Sequence, residues 1–169
     1  APAVAISALK AEESDKDAVI LILPADHVIQ NTSSFHKAIA TGYDAAMKND
    51  LVTFGIIPDA PETGYGYIKA GNASSSDSSV YIVDQFVEKP DKETAEIYLK
   101  EGGYYWNSGM FMFKASEYLK ELEQFNNEIL SVSKESLSGA KVDMDFIRLD
   151  ELSFEKCPND SIDYAVMEN

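Results

Sequence analysis

Ala18-Val19-Ile20-Leu21-Ile22-Leu23-Pro24-Ala25-Asp26-His27 decides how this chain is read. Six apolar residues rich in β-branched side chains, closed by a proline, have the length and composition of a strand buried on both faces of a sheet. Asp26 follows at its carboxyl end. In open α/β sheets the crevice beyond that end is where ligands bind, so a carboxylate there is a candidate ligand for a cation or a sugar hydroxyl. The competing reading is that Asp26 only shapes the turn, and the stretch alone leaves both open.

Outward from this strand, the pattern repeats. Asn31-Thr32-Ser33 offers N-cap side chains, and Phe35, Ile39, Tyr43 and Met47 recur every fourth residue as the apolar face of a helix. Leu51 to Ile57 is a second apolar run closed by Pro58, so strand, helix and strand follow with the spacing of a parallel crossover unit. Upstream, Ala1 to about Glu13 reads as a packed helix. Tyr65 to Ala70 and Tyr81 to Val87 flank the polar tract Asn72 to Ser79, which predicts an antiparallel excursion joined by a mobile loop. Helices are expected over Asp91 to Glu101, stopped by Gly102-Gly103, and over Ala115 to Phe125 and Asn127 to Ser136. Trp106 to Phe113 reads as a strand, and Ser161 to Met167 as the first turns of a helix.

The composition narrows the functions. With 169 residues and 45% hydrophobic content, one domain with its own core is the default. A net charge of −15 argues against non-specific binding to nucleic acid or to an anionic membrane, which need a basic surface. A phosphate ligand must then be met by local lysines, helix N-termini or a divalent cation. Cys157 is the only cysteine, so no intrachain disulfide forms and a reducing, cytoplasmic setting fits. No apolar run approaches the roughly 20 residues that cross a bilayer.

Four further places carry residue types suited to chemistry. In Thr63-Gly64-Tyr65-Gly66-Tyr67, two glycines bracket an aromatic before a strand and allow backbone to approach a ligand, against the plainer reading of a tight turn with its tyrosines as packing. Glu88-Lys89-Pro90 sets an acid beside a base where a strand breaks. Glu88 can accept from sugar hydroxyls and Lys89 can meet a phosphate as a point charge, although most such pairs are solvated surface charges. Asn107, in Trp106-Asn107-Ser108-Gly109, offers two donors and an acceptor to hydroxyls, against the plainer reading of an Asn-Ser-Gly turn. Asp163 lies where any carboxylate is favoured by the helix dipole. His27 and His36 lack metal-ligand spacing, and no nucleophile–base arrangement is apparent.

Taken in order, Leu23-Pro24-Ala25-Asp26-His27, Glu62-Thr63-Gly64-Tyr65-Gly66-Tyr67-Ile68, Phe86-Val87-Glu88-Lys89-Pro90, Tyr105-Trp106-Asn107-Ser108-Gly109-Met110-Phe111 and Ser161-Ile162-Asp163-Tyr164 resemble the mannose-1-phosphate guanylyltransferases, most closely the bacterial type that serves polysaccharide synthesis. The resemblance covers essentially the whole chain. It implies an α/β, Rossmann-like nucleotidyltransferase fold with a mostly parallel central sheet and an antiparallel excursion, and a reaction that joins mannose 1-phosphate to GTP. It further implies that Asp26 and Asp163 hold Mg²⁺, that Glu88 and Asn107 bind mannose hydroxyls, that Gly64 and Gly66 line the sugar pocket, and that Lys89 meets the sugar phosphate. Asp26, Lys89 and Asp163 would then be the catalytic set. Self-association into a homo-oligomer is left open.

One departure from the family is large. Its glycine-rich Gly-x-Gly-x-Arg-Leu-x-Pro loop, which cradles the nucleotide phosphates, is absent from these residues. The expectation is an internal, N-terminally truncated fragment comprising one partial domain, inactive alone, whose unpaired strand edge beside Ala18–Leu23 is capped by another chain, by a rearranged segment or by aggregation. Another sugar-1-phosphate nucleotidyltransferase and a non-catalytic nucleotide-sugar-binding regulatory subunit are the alternatives.

Overall fold

The computed structural model describes residues 1–74 and 79–168. In chain order the elements are α1 (Pro2–Ser14), β1 (Val19–Ile22), α2 (Thr32–Ala46), β2 (Val52–Ile56), β3 (Tyr67–Ala73), β4 (Tyr81–Val87), α3 (Lys92–Glu101), β5 (Tyr104–Lys114), α4 (Ala115–Phe125), α5 (Asn127–Ser138), β6 (Lys141–Asp143), β7 (Phe146–Arg148), α6 (Glu151–Phe154) and a π-helical turn, Asp163–Met167. They form two compact units, Leu21–Phe113, and Ala1–Ile20 together with Lys114–Asn169. The division falls inside β1 and at the end of β5.

The unit Leu21–Phe113 is built on a sheet with strand path β1-β5-β3-β4, and β2 also pairs with β5. The β2–β5, β3–β4 and β3–β5 pairings are all antiparallel. The expected excursion is therefore present as the β3–β4 hairpin, closed by the Ser74 N–H donating to the Val80 carbonyl at 2.7 Å. Residues 75–78, within the tract read as a mobile loop, lie outside the described residues. The strand–helix–strand order is also present, but β1 and β2 each pair with β5 rather than with one another.

Two expectations need correction here. Strand β1 is half-buried along its whole length rather than buried on both faces. It ends the strand path, with β5 on one edge and no strand among the described residues on the other. In α2, Asn31 caps as expected, its Oδ1 accepting from the Ser34 N–H at 3.0 Å. The buried row, however, runs through Gly42, Ala45 and Ala46, while Tyr43 and Met47 are exposed. A strict four-residue repeat drifts by about 40° per step on a helix of 3.6 residues per turn, so it leaves the packed face within two turns. Gly42 meets β2 instead, where a Cβ would lie 2.9 Å from the Phe54 ring.

α3 closes this unit. Ala95 packs with Tyr67 and Tyr104, and the Tyr98 ring stacks on Tyr104 at 3.9 Å. Asp91 caps the helix, its Oδ1 accepting from the Thr94 N–H at 2.8 Å, and Gly102 stops it with φ of 72°. The Thr94 backbone and then its side chain hold the Asp91 carboxyl below its ordinary value. Stability from this cap is therefore present above the ordinary carboxylate pKa, near 4, and lost as pH falls through the lower folded value. Hydrogen exchange in the first turn of α3 is expected to accelerate as pH falls below about 4, after correction for intrinsic rates. D91N, which has no proton to gain there, removes that step.

In the other unit, α1 packs on α4 and α5, and α5 on α6. Small residues make the close approach: Ala5 and Ala8 of α1 are fully buried. From α4, Ala115, Tyr118, Leu119 and Leu122 point inward at helical spacing. Burial pushes the Tyr118 hydroxyl well above its ordinary pKa, and that hydroxyl lies 3.3 Å from the Ala1 carbonyl it donates to. The sequence reading misses the β6–β7 hairpin and α6, both too short to show a period. Nor is the terminal segment an ordinary helix: the Glu168 N–H reaches back five residues to the Asp163 carbonyl at 3.0 Å, the π pattern.

Candidate active site

Sheet register assembles the site. Tyr67 of β3 stands opposite Val87 of β4 and opposite Trp106 of β5, both antiparallel. One step back along β3 is Gly66, and one step forward along the two partners are Glu88 and Asn107, so three separate motifs converge on Gly66. The contacts agree with the register. The Asn107 N–H donates to the Gly66 carbonyl at 2.8 Å, and a Cβ on Gly66 would lie 2.6 Å from Glu88 Oε2 and 3.5 Å from Asn107 Cβ. Only a glycine leaves the Glu88 carboxylate where it is.

Asn107 sits in a bulge inside β5 rather than in a simple Asn-Ser-Gly turn. From Thr53↔Phe111 to Gly55↔Asn107, β2 advances two residues while β5 advances four. The surplus is taken up around Gly109, which adopts φ of 69°. Within the bulge, Asn107 Oδ1 accepts from the Gly109 N–H at 3.1 Å and from the Thr53 hydroxyl at 3.2 Å, and Ser108 Oγ accepts from the Met110 N–H at 3.2 Å. Bulges re-aim side chains, and this one holds the Asn107 amide by its oxygen. A Cβ on Gly109 would touch Pro24 at 3.5 Å, so the loop that carries Asp26 approaches the bulge.

Strand β4 ends at Val87, and the expected break follows at once. Lys89 takes φ of 43°, a left-handed conformation that is costly for a residue with a Cβ and disfavoured before proline. The side chain of Glu88 is 13% exposed and that of Lys89 61%, so the carboxylate turns inward and the ammonium outward while the two remain ion-paired. Backbone strain of this kind clusters at ligand clamps, where surrounding structure holds it in place.

The remaining expected residues are placed less tightly. Gly64 lies in a bend, and a Cβ there would meet nothing within 4 Å, so space does not require glycine. Asp26 is exposed in a turn after β1 and belongs to the unit Leu21–Phe113; Asp163, partly buried, opens the π-helical turn of the other unit. Among the described residues no group of three or more His, Cys, Asp or Glu side chains forms a metal cluster. Sequence reasoning misses Thr53 and Gly55. A threonine inside the apolar run Leu51 to Ile57 is the signal that could have found the first.

A family profile described as nucleotidyl transferase matches residues 1–152. The chain belongs to the nucleotidyl transferase family. It is 49% identical to the mannose-1-phosphate guanylyltransferase ManC of Salmonella typhimurium over 99% of this chain and 36% of that protein. It is 51% identical to the xanthan biosynthesis protein XanB of Xanthomonas campestris pv. campestris strain B100 over 99% of this chain and 35% of that protein. The chain thus spans about a third of the length of these relatives. Among solved structures, it resembles a mannose-6-phosphate isomerase from Helicobacter pylori (TM-score 0.87, 35% identity, 99% of this chain and 63% of that one). It also resembles a mannose-1-phosphate geranyltransferase from Thermus thermophilus (TM-score 0.82, 32% identity, 99% of this chain and 46% of that one). The family placement implied by motif order is borne out, and the mixed α/β class of this nucleotidyl transferase chain with it.

Proposed function

We propose that the whole protein is a mannose-1-phosphate guanylyltransferase and that this chain carries its sugar-phosphate subsite, with both units belonging to one nucleotidyltransferase domain. The observation that carries the reading is the convergence of Glu88 and Asn107 on Gly66, together with about half of all residues shared with relatives of that name. An inward carboxylate beside an amide suits adjacent sugar hydroxyls, which donate to the first and accept from the second. Lys89, next in sequence, meets the phosphate. The whole protein is further proposed to complete a mostly parallel sheet around the antiparallel pairs described above.

In this reading an oxygen of mannose 1-phosphate attacks the α-phosphorus of GTP in line and pyrophosphate leaves, so positioning and charge neutralisation supply most of the rate. Glu88 and Asn107 fix the sugar, and Lys89 balances phosphate charge in an otherwise acidic chain. Asp26 and Asp163 are the proposed Mg²⁺ ligands. Two carboxylates fit that ion, which takes hard oxygen donors and is held by one or two carboxylates plus phosphates and water. Bound there, Mg²⁺ would neutralise phosphate charge.

Titration of the 169-residue chain with mannose 1-phosphate and Mg²⁺ tests the subsite: saturable binding is expected, with no GDP-mannose formed from added GTP. Binding should weaken roughly tenfold in K89G, from loss of the charged contact. That variant should melt no lower than the parent, because glycine relieves the left-handed backbone. Absent binding rejects the subsite; turnover by the chain alone rejects the division of labour.

A further inference from the structure

The Asn107 amide oxygen is held from two directions, and the donors differ in kind. Gly109 offers a backbone N–H, which can only donate, so the end of the amide facing it must be the oxygen. Thr53 lies on β2, across the sheet from the bulge, and its hydroxyl reaches the same oxygen at 3.2 Å; its other acceptor, the Met110 carbonyl, is farther at 3.5 Å. Both acceptor directions of Oδ1 are thereby engaged within the protein, and the Nδ2 end is turned away from Thr53 and Gly109.

We propose that Thr53 is a positioning residue for Asn107: its hydroxyl locks the amide so that Asn107 addresses the sugar as a hydrogen-bond donor, beside the acceptor Glu88. The inference rests on the sugar-subsite reading above and deepens it. A donor and an acceptor bordering one glycine select a ligand hydroxyl that accepts from Asn107 while it, or its neighbour on the ring, donates to Glu88. Held by the Gly109 N–H alone, the amide would swing more widely about that one bond and hold its nitrogen toward the ligand less firmly, weakening that selection. Thr53 does not touch the ligand in this scheme. It acts through the amide alone, which is why a methyl in place of its hydroxyl should matter although shape is conserved.

The test uses the 169-residue chain and T53V, T53S, N107A and the double variant T53V/N107A. Mannose 1-phosphate affinity is expected to fall about three- to tenfold in T53V, as for loss of one neutral hydrogen bond, and to be restored in T53S. The double variant should bind no more weakly than N107A, because Thr53 has nothing left to position. Without ligand, the Asn107 side-chain NH₂ signals in ¹⁵N relaxation should become more mobile in T53V and not in T53S. If N107A weakens binding and T53V does not, or if T53V leaves the Asn107 amide equally ordered, the proposal fails while the subsite reading stands. If N107A itself binds as tightly as the parent, the subsite reading fails and takes this proposal with it.

Discussion

Replacing Gly66 with alanine should weaken the proposed binding of mannose 1-phosphate by about ten- to hundredfold while moving the melting temperature little. The new Cβ would sit 2.6 Å from Glu88 Oε2, closer than real atoms approach, and at ordinary contact distances from Asn107 Cβ and Phe86. Something must yield, and the atom in the way is the far end of a flexible side chain. Glu88 can swing out at little cost to the fold. Gly66 adopts no positive φ that would forbid a side chain, so strain does not add to the clash. The expected loss corresponds to one charge-assisted hydrogen bond, about 1.5–3 kcal/mol. Titration calorimetry beside thermal melting separates the two effects; a G66A chain that binds normally would show that Glu88 does not serve the ligand from its present position.

Gly55→Ala is expected to do the reverse and strike stability first. Its Cβ would lie 2.7 Å from Tyr105 Cβ, an atom the backbone fixes and no rotamer change moves, and 3.0 Å from Tyr105 Cγ. Strands β2 and β5 must therefore separate or slide. Overpacking of this type costs about 1–3 kcal/mol, a large part of the reserve of a small domain. Because Gly55 stands in register with Asn107, the displacement should also reach the site. Urea denaturation should show a lower midpoint with an unchanged slope, and mannose 1-phosphate affinity should drop in the same variant. An unaltered midpoint would mean that the two strands are not held as closely as their register implies.

These two glycines show where sequence reasoning reached and where it stopped. Gly66 was legible, since a Gly-x-Gly before a strand already marks close backbone approach. Gly55 was not, because what crowds it comes from β5, far along the chain, and nothing local records that pairing. Asn107 is legible as a residue type, yet the stretch around it also fits a simple turn. The bulge that holds it exists only because β5 runs two residues ahead of β2. Lys89 is an intermediate case: Pro90 announces the break, but the left-handed φ is set only by the folded structure around it.

What the amino-acid sequence determined by itself is the set of elements and the order of the motifs. Apolar periodicity, proline stops and caps such as Asn31 and Asp91 act within a few residues, so they are written locally, and the ordered motifs sufficed to place the chain in its family. Tertiary structure alone decided which motifs meet. The antiparallel registers Tyr67↔Val87 and Tyr67↔Trp106 bring residues 66, 88 and 107 together, and the β2–β5 pairing adds Thr53. Register depends on side chains packing across strands far apart in the chain, a property of pairs that no single stretch contains.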